Sequence, residues 1–177
     1  MAMLHVIEPY DTTGKNLGMA YNEAMKYYNA DDWVCLKDHD TLFLLPDTIR
    51  HISHYTELNP DAGILTCYTN RLANGEQLLS YRCDENDSIR NHVNIAKRRE
   101  VGLYDTTLLI RPISGFLMVI RKSTWDRIKF DDGCLGVDNK YHLKIVAAGL
   151  DVLRMNGIYI WHTYRLLNGV KNKSHLV

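Results

Sequence analysis

Two aspartates one residue apart, Asp38 and Asp40, close the run Trp33-Val34-Cys35-Leu36-Lys37. Side chains alternate faces along a strand, so if the strand continues both carboxylates point the same way. Two carboxylates aimed at one spot repel each other unless a cation sits between them. At the carboxyl edge of a parallel sheet that cation can be a divalent metal holding a phosphate. The competing reading of a bare Asp-x-Asp is a loop with two solvated acids. Two further groups stand at element ends, where sites are assembled: Asp138 at the start of a late helix and His162 after the last strand. Carboxylate oxygen and imidazole nitrogen together suit Mn²⁺, with Mg²⁺ less favoured because it prefers oxygen alone. Taken singly, Asp138 also reads as a helix N-cap and His162 as a satisfied strand-end histidine beside Trp161. His39, between the two acids, points away from them on the strand alternation.

These groups need elements to position them. Leu4-His5-Val6-Ile7 reads as a strand, followed by the turn-rich Asp11–Lys15. Leu17, Ala20, Tyr21, Ala24, Met25 and Tyr28 form a helical stripe over 16–28. Trp33 to Leu36 is the buried strand. Pro46 suits the first turn of a second helix with Ile49, Ile52 and Tyr55 or Thr56 inward, ended by Asn59-Pro60-Asp61. Gly63 to Tyr68 is a strand, and Asn74-Gly75 reads as the turn of a hairpin over 72–78. Residues 83–105 are polar, compatible with a helix from about Ser88 to Arg99 or with a variable loop over a site. Strands at 107–110 and 116–121 precede a helix with Ser123-x-x-Asp126 as a variant capping box. A loop over 130–136 then leads to a helix opened by Asp138 and closed by Gly149. Two final strands, 152–155 and 158–161, lead to a basic tail. Strands alternating with helices and then a more irregular half predict an α/β fold: a mixed, Rossmann-like sheet flanked by helices in a single domain over 1–177.

Composition excludes several classes. Lys plus Arg equals Asp plus Glu at 21 each, which gives no steering towards nucleic acid or an anionic membrane. The Lys97-Arg98-Arg99 cluster is followed at once by Glu100 and reads as a solvated helix end. Cysteines at 35, 67, 83 and 134 form no Cys-x-x-Cys pair, so a zinc site is not indicated and a reducing, cytoplasmic setting is expected. No apolar run approaches the roughly 20 residues of a spanning helix.

The order of motifs resembles one family. Asn16-x-Gly18-x-x-x-Asn22 on a helix, then a strand ending Asp38-His39-Asp40, looks like the middle of a GT-A-fold glycosyltransferase of the family 2 type. Ser114-Gly115-Phe116 heading a strand, with Arg121 and Trp125 beyond it, resembles the region that shapes the donor and acceptor pocket in those enzymes. Gly136-Val137-Asp138 before a helix ending Ala148-Gly149 is similar to their Glu-Asp helix start, and Trp161-His162 to their late metal-binding histidine. The resemblance runs from about Asn16 to His162.

That resemblance implies a GT-A-like fold and transfer of a sugar from a nucleoside-diphosphate sugar, a UDP-sugar for preference, to a carbohydrate or other hydroxyl acceptor. It implies Asp40 as direct metal ligand, Asp38 as ligand, ribose contact or both, and His162 as third ligand of Mn²⁺ or Mg²⁺. It implies Asp138 as the base that takes the acceptor proton, with inversion at the anomeric carbon. Lys171, Lys173 or His175 would close over the diphosphate. The sequence departs from the pattern twice: only one strand, Leu4 to Tyr10, precedes the Asn16 helix, and Val137 stands where the family often has Glu. Base recognition would then fall to residues such as Glu8, Tyr10 or Lys15, in a near-minimal enzyme of the phage or viral sort or a truncated one. On this division 1–82 forms the nucleotide and metal half, 106–162 the acceptor and catalytic half, and 163–177 the tail. Two alternatives stand beside it: a degenerate module that binds glycan or nucleotide without turnover, and a nucleotidyltransferase that makes sugar nucleotides. The latter commonly carries a Gly-rich phosphate loop after its first strand, and none is present here.

Overall fold

A computed structural model describes residues 2–13, 15–84 and 86–163. Its elements run β1 (Leu4–Ile7), α1 (Leu17–Met25), β2 (Trp33–Lys37), β3 (Thr41–Leu42), α2 (Thr48–Leu58), β4 (Ile64–Tyr68), α3 (Ile89–Arg99), β5 (Thr106–Leu108), β6 (Leu117–Arg121), α4 (Lys122–Arg127), α5 (Val137–Ala147), β7 (Val152–Tyr159) and β8 (Trp161–His162). Six strands make one mixed sheet in the order β1-β2-β6-β4-β7-β5, and β3 pairs with β8 in a separate two-stranded ladder. β1 runs parallel to β2 and β4 parallel to β7, while β6 is antiparallel to both of its neighbours. The expected α/β layer architecture, a mixed sheet flanked by helices, is present.

Strand alternation divides the core. On β2, Val34 and Leu36 face a cluster with Tyr21 and Met25 of α1, Trp125 of α4 and Tyr141 and Ile145 of α5. Trp33 and Cys35 face the opposite cluster, which contains Ile52 and Tyr55 of α2. A central strand covered on both sides reads as an unbroken apolar run, which is why 33–36 carries no polar alternation.

The motif Asn16-x-Gly18-x-x-x-Asn22 staples α1 to the loop before α5. Asn16 Oδ1 caps the helix by accepting from Met19 N at 2.9 Å and also accepts from Gly133 N at 2.9 Å. Asn22 Oδ1 accepts from Phe130 N and Trp125 Nε1, and its amide donates to the Phe130 carbonyl. Gly18 donates to the Gly133 carbonyl at 3.0 Å, and a Cβ there would lie 1.8 Å from the Asp131 carbonyl oxygen.

Several sequence expectations are corrected. Residues 72–78 form no hairpin: Asn74 is extended at φ −85°, and Gly75–Gln77 is a 3₁₀ turn. A type I′ turn needs positive φ at both centres. The Asn74 side chain is instead spent capping Glu76 N and donating to the Pro112 carbonyl. α4 begins at Lys122, which places Ser123 inside the helix with no capping bond. Asp126 receives Lys122 Nζ at 2.8 Å. The last two strands are one, β7, and the short β3–β8 ladder was not foreseen. Residues 89–99 are the helix rather than an irregular loop.

Candidate metal and catalytic site

β2 stops at Lys37, so Asp38 and Asp40 lie in a turn and not on a continued strand. Their convergence comes from that turn. Asp38 N donates to the Phe116 carbonyl at 2.9 Å, and the Asp38 carbonyl accepts from Thr41 N at 3.2 Å and Thr41 Oγ1 at 2.7 Å. The Asp40 carbonyl accepts from Thr163 N at 2.8 Å and Thr163 Oγ1 at 2.9 Å. Both backbone ends of the acidic pair are thereby held. His39 is exposed.

β8 brings His162 opposite Thr41. Its backbone N–H donates to Asn70 Oδ1 at 2.8 Å, and its ring Nδ1 lies 2.9 Å from the Arg71 carbonyl. A carbonyl only accepts, so Nδ1 carries the proton and Nε2 is presented to the acids. Phe116 backs the imidazole in a stacked arrangement, with ring centroids 6.0 Å apart. Nε2 stands 3.2 Å from Asp40 Oδ1. One ligand atom each from Asp38, Asp40 and His162 lies within 4.8 Å of the others.

A divalent cation suits this arrangement. An imidazole nitrogen and two carboxylates at that spacing form a mixed oxygen and nitrogen donor set. The second ring nitrogen is already fixed by a backbone carbonyl, the usual orientation device of a metal-binding histidine. Electrostatics agree: burial first, then repulsion from Asp40 and Asp138, pushes the Asp38 carboxyl up to about 6, with His162 opposing. A cation between the acids would relieve that repulsion.

Asp138 lies across the same cavity, of about 400 Å³, lined by Asp38, His162, Tyr21, Ser114, Phe116 and Leu135 among others. The N-cap reading of Asp138 is corrected: Gly136, at φ 70°, holds that position, and Asp138 is inside the first turn of α5. Its carboxylate accepts from Gly115 N at 2.6 Å and Asn139 N at 2.9 Å. Burial raises its pKa, and those two N–H groups hold the rise back. Asp138 also lines a second cavity of about 460 Å³, with Asn74, Arg111, Ser114 and Asn139 in its wall. Asp138, Ser114, Ala73 and Gly136 are common to both cavities.

Tyr10 and Lys15 are exposed on the loop after β1 and line neither cavity. Asp11 organises that loop by accepting from the backbone N–H groups of Thr13, Lys15 and Asn16, which lowers its carboxyl to about 2. Lys171, Lys173 and His175 lie outside the described residues. Sequence reasoning missed Lys37, whose ammonium is buried beneath the Asp38–Thr41 turn. The strand period that places Trp33 and Cys35 in the core places residue 37 on the same face, and that was the available signal.

No helix among the described residues is long and apolar enough to cross a membrane. No curated protein matched the sequence. A family model described as glycosyltransferase-like family 2 matches residues 2–174, taking in β1, the Asp38–Asp40 turn, Asp138 and His162 in a single span. With nearly every residue inside that match, on a GT-A-like sheet, the chain belongs to glycosyltransferase-like family 2 and is a glycosyltransferase.

Proposed function

We propose that the enzyme transfers a sugar from a nucleoside-diphosphate sugar, a UDP-sugar for preference, to an acceptor hydroxyl with inversion. The observation that carries this reading is the cavity that Asp138 shares with Asp38 and His162, two members of the Asp38, Asp40 and His162 donor cluster. In this reading those three residues hold Mn²⁺ or Mg²⁺. The bound cation supplies charge neutralisation of the diphosphate as it leaves. The first cavity takes the donor and the second the acceptor, with Asp138 between them.

The residues then divide the chemistry. Asp138 accepts the proton of the acceptor hydroxyl, whose oxygen bonds the anomeric carbon as the bond from that carbon to the diphosphate breaks. A carboxyl held above its usual range by burial is better matched to neutral pH as a base, while Gly115 N and Asn139 N fix its direction. Tyr21 and Phe116 supply apolar wall on the donor side. Four free cysteines, Cys35 and Cys67 buried among them, support a reducing, cytoplasmic setting.

Thermal melting with UDP and Mn²⁺, singly and together, tests the reading. A ligand that binds only the native state stabilises it by RT ln(1 + [L]/Kd). The pair is expected to raise Tm by more than the sum of the separate shifts. No shift with both at millimolar concentration would sink it.

A further inference from the structure

Lys37 ends β2 on the face that carries Trp33 and Cys35, both core residues. It is 9% exposed. An ammonium in such a place is costly unless each of its N–H bonds finds an acceptor. Nζ donates to the Asp38 carbonyl at 2.9 Å and the Thr41 carbonyl at 2.9 Å, and pairs with Glu8 Oε1 at 2.6 Å. Three donors thus meet two carbonyls and one carboxylate, with Thr41 Oγ1 at 3.4 Å as a weaker fourth neighbour.

The two carbonyls belong to the first and last residues of the turn that carries Asp40. Without the ammonium, the Thr41 carbonyl and one side of the Asp38 carbonyl would face the interior with no donor, and the turn would open towards water. The backbone pairing of β2 with β1 and β6 does not involve the ammonium and would remain, so the sheet does not depend on it. Glu8 follows β1 and is half-exposed, so the ion pair also ties the loop after β1 to the acidic turn.

We propose that Lys37 is a positioning residue that clamps the Asp38–Thr41 turn shut and keeps the Asp38 and Asp40 carboxylates aimed at His162. This role rests on the reading of Asp38, Asp40 and His162 as a cation site. Residues behind the direct ligands of a metal typically change its affinity by roughly 10- to 100-fold when removed.

The test uses the full chain as wild type, Lys37→Met and Lys37→Arg. Free Mn²⁺ is counted by electron paramagnetic resonance during titration, with and without UDP, and each protein is melted in EDTA. Lys37→Met is expected to melt cooperatively in EDTA but bind Mn²⁺ at least tenfold more weakly, and Lys37→Arg, which keeps the donors, to recover most of that loss. Equal Mn²⁺ affinity in Lys37→Met and wild type would overturn the clamp while leaving the cation site standing. Failure of both variants to fold in EDTA would also overturn it, because Lys37 would then serve the scaffold and not the turn. A wild type that binds no Mn²⁺ even with UDP would overturn the cation site and the clamp together.

Discussion

The Gly115 backbone N–H sits 2.6 Å from Asp138 Oδ2, and a Cβ on Gly115 would lie 2.8 Å from the Asp138 Cβ. The hydrogen bond and the absence of a side chain are one device, since the carboxylate reaches that N–H only over a bare α-carbon. Gly115→Ala is therefore expected to push Asp138 aside. A misplacement of about 1 Å costs on the order of 10²-fold in rate. Steady-state kinetics should show the loss mainly in kcat, with UDP–Mn²⁺ binding retained; unchanged kcat would show that the close approach has no catalytic use.

Asp138→Asn keeps the side-chain shape and removes the carboxylate proposed as the base. Turnover should fall by roughly 10²- to 10⁴-fold, the usual contribution of general-base catalysis. Isothermal titration with UDP and Mn²⁺ should be nearly unaltered, because Asp138 is not among the three clustered donors. Retained turnover would move the base elsewhere.

Asp38 gives the metal-free protein a pH signature. Its carboxyl sits at about 6 in the fold against an ordinary 3.8, raised first by burial. The native state therefore binds more protons than the unfolded state between those values, and stability falls as pH rises through that window. Asp38→Asn should abolish that slope, so in EDTA the variant should gain on wild type between about pH 4 and 6. Mn²⁺ should reverse the wild-type trend, because protons compete with the metal below pH 6. Parallel melting curves for the two proteins across that range would contradict this.

Gly18→Ala tests the staple between α1 and the loop before α5. The added methyl would lie 1.8 Å from a backbone oxygen, so backbone must move. Overpacking of this kind costs about 1–3 kcal/mol. At roughly 2–4 °C per kcal/mol for a chain of this size, Tm should drop measurably. The loop carries on into Cys134, Leu135 and Gly136, which line the cavity shared by Asp38, His162 and Asp138, so on the proposed reading apparent donor affinity should weaken as well.

Much of the fold was legible because periodicity is local. The helical stripe read over 16–28 holds α1 at Leu17–Met25, the apolar run at 33–36 lies in β2, and the helix read from Asp138 to Gly149 is α5 at Val137–Ala147, each written within a single element. The misreadings share a cause in distant partners. Asn74-Gly75 has hairpin chemistry, but its asparagine is claimed by a carbonyl 38 positions on. Asp138 looks like a cap until the fold places Gly115 beside it, 23 positions away. Asp38 and Asp40 meet His162 through a turn and a two-residue ladder, whereas the strand alternation that suggested their common direction stops at Lys37. Lys37 was passed over because a charged residue at the end of an apolar run is ordinarily a boundary marker, and its three acceptors lie in a turn and a loop that only the fold brings above it.

The β3–β8 ladder has a consequence for biosynthesis. Thr163 reaches back 123 positions to the Asp40 carbonyl, while all six strands of the main sheet are complete by Tyr159. The imidazole is thus the last of the three clustered groups to be synthesised, directly after the final strand of the main sheet. A nascent or prematurely terminated product ending ahead of Trp161 would lack both His162 and the Thr163 bonds to the Asp40 carbonyl, so the cluster of Asp38, Asp40 and His162 cannot assemble in it.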